Sequence, residues 1–305
     1  MTKLVKLLTT EGNGKFEEID WVKPPIKENE IEVKAVMTGI CRSDIDMMKG
    51  QFSLPLWMHG HEGLGIVTDV GKNVNDVKLG SYVATRGEPA YADYYNAPQG
   101  TYVQVPKLEP KYIVEPIACG INVFNEAYNK LQTTGGRICL IGTGFLSHIV
   151  YSNFKLHGYT AIDVIGNHSK DFWKNEHNVD VKSDPIDKYR IVIDLSNNNI
   201  SLTKDIYHNN ASLIFASSKH PTVASNFDYL LWNAVTMICP SPRTHGFHNC
   251  MKTAVQQIEQ GLINVDNFWT RKYDRTTEWQ QAFQDSLDRP VGFNRAYLVW
   301  PISQN

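Results

Sequence analysis

Two side chains in the first third of the sequence have the chemistry of metal ligands. Cys41 offers a thiolate, and His61 follows 20 residues later with an imidazole. This pair of donors suits zinc, and a catalytic zinc ion keeps three protein ligands and an open position for water or substrate. Asp44 can accept the other N–H of His61 and fix its tautomer, and Ser43 is placed to pass on a proton. The pattern predicts a zinc site, although one Cys and one His alone also occur as structural residues.

The segment that carries these residues is punctuated by glycine and proline and contains short alternating runs. Turn residues bound each run, as is typical of β-strands. The predicted strands cover residues 31–41, 63–71, 80–87 and 101–106. Many short strands with close turns predict a small β-barrel or sandwich over residues 1–115.

The pattern changes at Glu115. Pro116 suits the first turn of a helix, and apolar residues then recur at helical spacing as far as Leu131. Five apolar runs of strand length follow, at residues 137–142, 160–166, 189–196, 211–217 and 234–240. Near-continuous apolar strands of this kind indicate an α/β unit with a parallel sheet covered on both faces.

The C-terminal part reads as an amphipathic helix followed by an apolar strand at residues 293–301, which must return to one of the sheets. The apolar face of that helix is formed by Met251, Val255, Ile258 and Leu262.

The first strand of the α/β unit leads into a glycine turn. Gly142 and Gly144 fill the first two positions of the GxGxxG pattern, and Ser147 stands at the third. The first glycine permits the tight turn, and the second lets the backbone approach a pyrophosphate at the helix N-terminus. The third position only sets helix packing and tolerates serine. A structural turn is an equal alternative for a lone pattern, but the flanking strands and helix favour a dinucleotide site.

The end of the second strand bears on the choice of cofactor. An NAD site usually has Asp or Glu here to bind the ribose 2′-hydroxyl. This sequence has Gly166 at that position, then polar residues that include Asn167, His168 and Lys170, while Asp163 comes too early in the strand. With no carboxylate to repel it, a 2′-phosphate can be bound by these donors, so the sequence favours NADP over NAD. The alternative is an exposed polar turn that contacts no ligand.

The segment from residue 59 to 74 resembles a known signature. It matches the zinc-containing alcohol dehydrogenase signature of the medium-chain dehydrogenase/reductase family at Gly60, His61, Glu62, Gly65, Gly71 and Val74. The sequence GICRSD is similar to that family too. The resemblance implies that Cys41 and His61 are the first two zinc ligands and that Glu62 binds or approaches the metal. His59 stands where the family usually has an apolar residue, so it is interpreted as a packed or hydrogen-bonded histidine.

The third ligand divides the branches of this family. The sequence VEPIACG resembles the sorbitol, glucose and threonine dehydrogenase branch, which implies Glu115 as a ligand, directly or through water. Cys119 is a rival ligand, and a helix-end charge is a simpler reason for Glu115. The family's structural zinc lobe should fall between Gly80 and Glu115, and that interval has no cysteine. One catalytic zinc ion and no structural ion are therefore expected.

The resemblance also implies the fold and the domain order. It predicts a GroES-like β-barrel catalytic domain over residues 1–118 and a Rossmann domain with a doubly wound parallel sheet over residues 119–244. Residues 245–305 are expected to return to the catalytic domain, with the active site between the two domains.

Near the zinc cysteine the chain departs from the family pattern. Many members have a histidine five residues after that cysteine as the outer end of a proton relay, whereas this chain has Asp46. A carboxylate there accepts a proton only if its pKa is raised, so the relay either differs or opens to water. Arg42 is interpreted as a pyrophosphate ligand or as a solvated surface charge. The loop that follows is short for the family, and its Phe52 and Trp57 are either walls of a substrate pocket or plain core.

Composition and charge exclude several other classes. With 42% hydrophobic and 20% charged residues and a formal charge of −2, the chain is expected to be a soluble globular protein that binds neither nucleic acid nor a membrane. The five cysteines are scattered without CxxC spacing, and no apolar run has the length of a signal peptide or a membrane span. These features predict reduced thiols and a cytoplasmic location.

Taken with these patterns, the resemblance implies a zinc- and NADP-dependent oxidoreductase that acts on a small-molecule secondary alcohol, polyol or sugar. Two alternatives are a degenerate, non-catalytic nucleotide-binding protein, which Ser147 and Asp46 favour, and a zinc-free quinone or enone reductase of the same superfamily. The resemblance implies a homodimer or homotetramer, with residues 234–240 as the strand that pairs with a second copy.

Overall fold

A computed structural model of the chain describes residues 2–217 and 226–301. The elements of its first part are β1 (Lys3–Thr9), β2 (Glu17–Lys23), β3 (Glu30–Gly39), α1 (Arg42–Met48), β4 (Gly63–Val70), β5 (Tyr82–Thr85), β6 (Tyr94–Pro98) and β7 (Tyr102–Gln104). The middle part contains α2 (Glu115–Thr134), β8 (Ile138–Ile141), α3 (Phe145–Leu156), β9 (Ile162–Ile165), α4 (Lys170–His177), β10 (Tyr189–Asp194), α5 (Ile200–Thr203), β11 (Tyr207–Phe215), α6 (Asp228–Trp232) and β12 (Thr236–Ile238). The last part contains α7 (Phe247–Glu259), β13 (Trp269–Asp274), α8 (Trp279–Asp288) and β14 (Arg295–Val299). The chain divides into two compact units, residues 1–116 with 251–305, and residues 117–250.

The first unit is built on a mixed sheet around the long strand β3. Its strand order is β13-β14-β3-β4-β5-β7, with β6 also paired to β3 and with β1 and β2 forming a separate hairpin. β3 is buried along most of its length because it has sheet neighbours and is covered by side chains of the unit's core. β14 pairs with β3, which confirms that the C-terminal apolar strand returns to a sheet.

The strand predictions in this unit were incomplete. The four predicted strands correspond to β3, β4, β5 and β7, whereas β1, β2 and β6 were missed. The pair β1 and β2 carries charged residues on its exposed face and so lacks a continuous apolar signal. The predicted strand over residues 31–41 was also too long, because β3 ends at Gly39 and α1 starts at Arg42.

The second unit is a parallel sheet with strand order β12-β11-β10-β8-β9. Each predicted apolar run corresponds to one of these strands. The side chains of β8 alternate between two apolar clusters, one on each face of the sheet. Ile138 and Leu140 pack with residues of α2 and α3, while Cys139 and Ile141 pack in the cluster on the other face. The prediction of a parallel sheet covered on both faces is confirmed. The strand order reverses its direction between β8 and β10, which is where ligands bind in sheets of this type.

The structure agrees with the predicted start of α2 but not with the predicted extent of α7. α2 begins at Glu115 with Pro116 in its first turn and buries Ile117, as expected. α7 ends at Glu259, so the prediction that Leu262 belongs to its apolar face was wrong, and this side chain is 46% exposed. Gly261 follows the helix with φ +65°, a conformation that commonly ends helices. Within residues 2–217 and 226–301, no helix combines the length and apolarity needed to cross a bilayer.

Candidate functional site

Strand pairing brings Cys41, His61 and Glu62 together. β3 ends at Gly39 and β4 begins at Gly63, and these two strand ends lie side by side in the antiparallel pair. The Gly39 N–H also donates to the carbonyl oxygen of Glu62 at 2.9 Å. The thiol, imidazole and carboxylate donor atoms consequently all lie within 4.8 Å of one another. The register of β3 and β4 therefore closes the 20-residue gap in sequence between the first two donors.

This donor set fits a zinc ion. Zn–S bonds are about 2.3 Å and Zn–N bonds about 2.0–2.1 Å, so two donors of one ion lie within roughly 4.4 Å of each other. The observed limit of 4.8 Å requires only a small adjustment of the side chains. A thiolate with an imidazole also favours zinc over magnesium or calcium, which prefer oxygen ligands.

Buried negative charge around the set points to a divalent cation. Glu62 and Asp44 are 0% exposed, and Glu115, the first residue of α2, is 2% exposed. Arg295 supplies one compensating positive charge, which leaves an excess of negative charge when these carboxylates are ionised. Buried charges are costly unless they are paired or bind a metal. Glu115 lies outside the 4.8 Å set, but its charge acts on both His61 and Arg295.

The pKa of His61 reflects this charge. Burial on its own lowers the pKa, but the charges of Asp44, Cys41 and Glu115 outweigh it and raise the pKa of His61 well above its ordinary value. Surroundings that attract a proton to the imidazole also attract a metal cation, for the same electrostatic reason. A metal bound here has to displace that proton.

Asp44 links the set to a buried tyrosine. Its Oδ2 accepts the Cys41 N–H at 2.8 Å and the Tyr91 hydroxyl at 2.7 Å. Its Oδ1 lies 3.7 Å from Nδ1 of His61, which is ion-pair range but too long for a direct hydrogen bond. Burial raises the pKa of Asp44, against the opposing effects of His61 and Tyr91. Tyr91 was missed from the sequence, where nothing distinguishes it from the other tyrosines of the run YADYY.

Arg295 is the second important residue that the sequence predictions missed. Its Nη2 lies 2.5 Å from both carboxylate oxygens of Glu62, and its guanidinium group lies over the ring of Trp269 at 4.9 Å. A Cβ atom at Gly39 would lie 2.1 Å from Glu62 Oε2, so only glycine leaves room for this carboxylate. Within the donor set, the Glu62 carboxylate is therefore already paired with the positive charge of Arg295. The available signal was an arginine inside the otherwise apolar run FNRAYLVW, since such a charge needs a buried partner.

The residues predicted to serve a proton relay lie on α1. Ser43 is its second residue and is half-buried, directly after Arg42. Asp46 is buried, and its Oδ1 lies 3.3 Å from Nε of Arg42 one turn away on the same helix. The proton-transfer roles of Ser43 and Asp46 and the pyrophosphate role of Arg42 stay predictions.

The structure also locates His59, the two aromatic residues shortly before it in the sequence, and Cys119. His59 is buried, and its Nδ1 lies 2.9 Å from the hydroxyl oxygen of Thr9, which confirms its interpretation as a hydrogen-bonded histidine. Phe52 and Trp57 are 41% and 52% exposed, so the alternative that they are plain core residues was wrong. Cys119, the rival third ligand, lies on α2 in the second unit.

The glycine turn of the second unit has the geometry of an anion cradle. Gly142 follows β8 with φ +121°, and a Cβ atom there would lie 3.1 Å from both Ser147 Oγ and the carbonyl oxygen of Leu195. Gly144 is the N-cap of α3, and no heavy atom lies within 4 Å of the position of its Cβ. Ser147 is 1% exposed, and its hydroxyl has no hydrogen-bond partner in the described part of the chain. The turn thus leaves open space and a buried hydroxyl at a helix N-terminus, where anions bind.

The end of β9 carries the residues predicted to contact the adenosine ribose. Gly166 is half-buried, whereas Asn167, His168 and Lys170 are exposed. A Cβ atom at Gly166 would lie 2.7 Å from Cγ2 of Thr143, so this close approach disfavours an acidic side chain at the position. The positions of these residues fit the sequence prediction, and their role in cofactor choice stays a prediction.

Asp163 lies inside β9 and away from that role. It is 5% exposed and forms ion pairs with Arg137 at 2.7 Å and with Lys182 at 2.5 Å. Hydrogen bonds from Lys182 and Tyr189 outweigh the effect of burial and lower the pKa of Asp163. This carboxylate is thus a structural ion-pair partner.

Comparison with known proteins adds family information to this geometry. Residues 27–115 match the alcohol dehydrogenase GroES-like domain. An alcohol dehydrogenase of Geobacillus stearothermophilus is 27% identical over 188 residues, which cover 48% of this chain and 54% of that protein. The chain spans about half the length of the curated relatives it matches.

Solved structures match over nearly the whole chain. An oxidoreductase/dehydrogenase of unknown specificity from Escherichia coli superposes with a TM-score of 0.80 at 20% identity, covering 98% of this chain and 100% of that one. A putative zinc-binding dehydrogenase from Sinorhizobium meliloti bound to NADP superposes with a TM-score of 0.75 at 16% identity, covering 97% and 99%. Likeness at this identity establishes the fold, a GroES-like unit with a Rossmann-like parallel sheet.

Proposed function

We propose that the chain is a member of the alcohol dehydrogenase superfamily of medium-chain dehydrogenases/reductases, supported by the match of residues 27–115 to the alcohol dehydrogenase GroES-like domain, and that it is a zinc- and NADP-dependent oxidoreductase of small hydroxyl compounds. The proposed reaction moves a hydride between the nicotinamide and a carbon that bears a hydroxyl or carbonyl group, in a secondary alcohol, polyol or sugar. The observation that carries this proposal is the buried convergence of Cys41, His61 and Glu62, with donor atoms within 4.8 Å of one another.

The residues of the candidate metal site have separate tasks in this proposal. Bound zinc supplies Lewis-acid polarisation of the substrate oxygen, and the nicotinamide supplies the hydride acceptor or donor. Cys41 and His61 hold the metal, and Glu115 is the proposed third ligand because Glu62 is already paired with Arg295. The Ser43 hydroxyl accepts the substrate hydroxyl proton and passes it on toward solvent.

The proposed preference for NADP rests on the end of β9. Gly166 lacks a carboxylate that would repel a phosphate, and Thr143 leaves little room for one. Asn167, His168 and Lys170 are exposed there and offer hydrogen-bond donors and one positive charge. The titration that tests this preference measures NADPH and NADH affinities side by side, and tighter binding of NADH would refute it.

Metal analysis is the first test of the proposed function. Protein purified in the presence of zinc should contain about one zinc ion per chain, and Cys41→Ala should lose it together with turnover. Cys239→Ala is the matched control, because Cys239 is an exposed free thiol in the second unit. Wild-type protein without zinc would overturn the proposal and favour a non-catalytic nucleotide-binding protein.

The nucleotide site has its own test in the glycine turn. Gly144→Ala should fold with near wild-type stability, because the position of its Cβ is empty for 4 Å and the backbone is extended with φ −85°. The added methyl group would stand where the pyrophosphate is expected, so NADPH affinity should fall at least about tenfold. Equal affinity in the two proteins would contradict a pyrophosphate at this turn.

The substrate is best sought with a panel. Polyols, aldoses and simple secondary alcohols should be assayed with NADP in the presence of zinc, and turnover of none of them would argue against the proposed substrate class. The proposal places the protein in the cytoplasm, because the zinc ligand Cys41 has to remain a reduced thiolate.

We also propose that two copies of the chain associate through the outer edge of β12. In the described part of the chain β12 pairs only with β11, and Met237 on it is 42% exposed. An exposed edge strand offers unpaired backbone groups to a second strand. Sedimentation analysis should give a dimer or tetramer for the wild type and a smaller species for Met237→Lys, and a monomeric wild type would refute this association.

A further inference from the structure

A fully buried tryptophan reaches the glycine turn from α4. Trp173 is 0% exposed, and its indole N–H donates to the carbonyl oxygen of Thr143 at 3.0 Å. Thr143 stands between Gly142 and Gly144, so this hydrogen bond ends in the middle of the turn. An indole nitrogen is only a donor, so it needs a hydrogen-bond acceptor at this place, and the Thr143 carbonyl supplies it.

This bond also determines where a neighbouring N–H points. The carbonyl of Thr143 and the N–H of Gly144 belong to one planar trans peptide, so they point in opposite directions. When Trp173 draws the carbonyl toward α4, the N–H of Gly144 is turned away from α4. The space beside Gly144 is open, because no heavy atom lies within 4 Å of the position of its Cβ.

A histidine pair holds α4 against α3. Nδ1 of His148 lies 2.8 Å from Nε2 of His177, and both residues are buried. Two neutral imidazoles can share this bond, with one donating and the other accepting. Burial and the nearby His148 lower the pKa of His177 to about 3, so the His177 ring is neutral near pH 7. Tyr151 of α3 packs edge-on against Trp173, with ring centroids 5.4 Å apart.

We infer that Trp173 is a positioning residue for the dinucleotide site. Through the carbonyl of Thr143 it orients the Gly144 N–H toward the cofactor pyrophosphate, and the His148–His177 pair keeps α4 in place for this purpose. The inference rests on the proposed function, because it takes the glycine turn to be the pyrophosphate site. Loss of the indole N–H should weaken NADPH binding roughly three- to tenfold, the range typical of one neutral hydrogen bond.

The test variant is Trp173→Phe, which keeps an aromatic ring and removes the donor. NADPH and NADH affinities are measured by isothermal titration calorimetry, and turnover is measured at saturating cofactor. The expected result is a raised Kd and cofactor KM with a nearly unchanged kcat. Trp279→Phe is the matched control, since Trp279 lies on α8 in the first unit, and its affinities should equal those of the wild type.

A second variant separates the hydrogen bond from packing. Replacing Trp173 with 3-benzothienylalanine keeps the bicyclic shape and exchanges the N–H for sulfur, so it should show the same loss even if the phenylalanine variant folds poorly. Normal NADPH affinity in this protein would overturn the inference.

Amide hydrogen exchange of residues 142–147 gives a readout that needs no ligand. Faster exchange there in the Trp173 variants, with unchanged exchange in the first unit, supports the inference, and unchanged exchange in both units overturns it. If the wild type binds neither NADPH nor NADH, the proposed nucleotide site fails, and the exchange comparison still decides whether Trp173 orders the turn.

Discussion

Replacing Arg295 with methionine should destabilise the first unit by about 3–5 kcal/mol, the usual cost of leaving a buried charge without its partner. Methionine keeps much of the length and apolar surface of the arginine stem, which lies beside Trp269. What it removes is the positive charge opposite Glu62. The remaining carboxylate is 0% exposed and cannot gain water in exchange.

The size of this effect follows from the geometry of the pair. Both oxygens of Glu62 lie 2.5 Å from Nη2 of Arg295, and the arginine side chain is only 12% exposed. Exposed ion pairs contribute about 0–1 kcal/mol, so an effect of that size would mean that the pair behaves as a surface pair. For a unit of this size each kcal/mol lowers the Tm by about 2–4 °C, so a decrease of roughly 6–20 °C is expected.

The assay is thermal unfolding of protein treated with a chelator, so that no metal ion replaces the missing positive charge. The measurement is then repeated after zinc is added. Arg271→Met is the matched control, because the guanidinium of Arg271 on β13 donates to backbone carbonyl oxygens. Arg271→Met should lower the free energy of unfolding much less than Arg295→Met does. The double variant Glu62→Gln/Arg295→Met should recover stability, because it removes both charges.

A free energy of unfolding for metal-free Arg295→Met within about 1 kcal/mol of the wild-type value would refute this prediction. A double variant no more stable than the single one would refute it too, since the loss would then come from packing and not from an unpaired carboxylate.

Two further predictions concern other buried groups. Tyr91→Phe keeps the ring contacts of Tyr91 but removes the hydroxyl bound to Asp44, so zinc affinity in a chelator competition should fall about 10–100-fold, and unchanged affinity would count against this link. Stability should also fall with acid. The pKa of His177 is lowered to about 3 in the folded protein, so the unfolded chain takes up a proton first as the pH falls below about 6.5. Between pH 7.5 and 5 this costs about 2 kcal/mol in urea unfolding. His177→Leu should lack that part of the loss, and an equal loss in both proteins would contradict the assignment.

The candidate site was predictable where its residues act through local pattern. The proposed metal-binding role of Cys41 and His61 depends on residue type, and the proposed roles of Gly142 and Gly144 depend on a turn between a strand and a helix. The apolar runs of the second unit likewise became strands because continuous apolar sequence is what a doubly covered parallel strand requires. Such properties are encoded by near neighbours in sequence, so they can be read without the fold.

The partners of these residues were not predictable in the same way. Arg295 meets Glu62 across 233 residues because β14 pairs with β3, and Tyr91 meets Asp44 across 47 residues in the core of the first unit. Neither residue belongs to a motif. Which strand the C-terminal segment would join depended on long-range pairing, so its arginine had no identifiable partner in the sequence.

The sequence by itself determined which groups are candidates to bind a metal and a nucleotide, because those abilities belong to side-chain chemistry and to the conformational freedom of glycine. Only the tertiary structure decided how those groups are charged and held. It paired Glu62 with a buried guanidinium, surrounded His61 with carboxylates, and tied the Thr143 carbonyl to Trp173. The physical reason is that burial and charge compensation are set by contacts between distant segments, and these exist only once the sheets have formed.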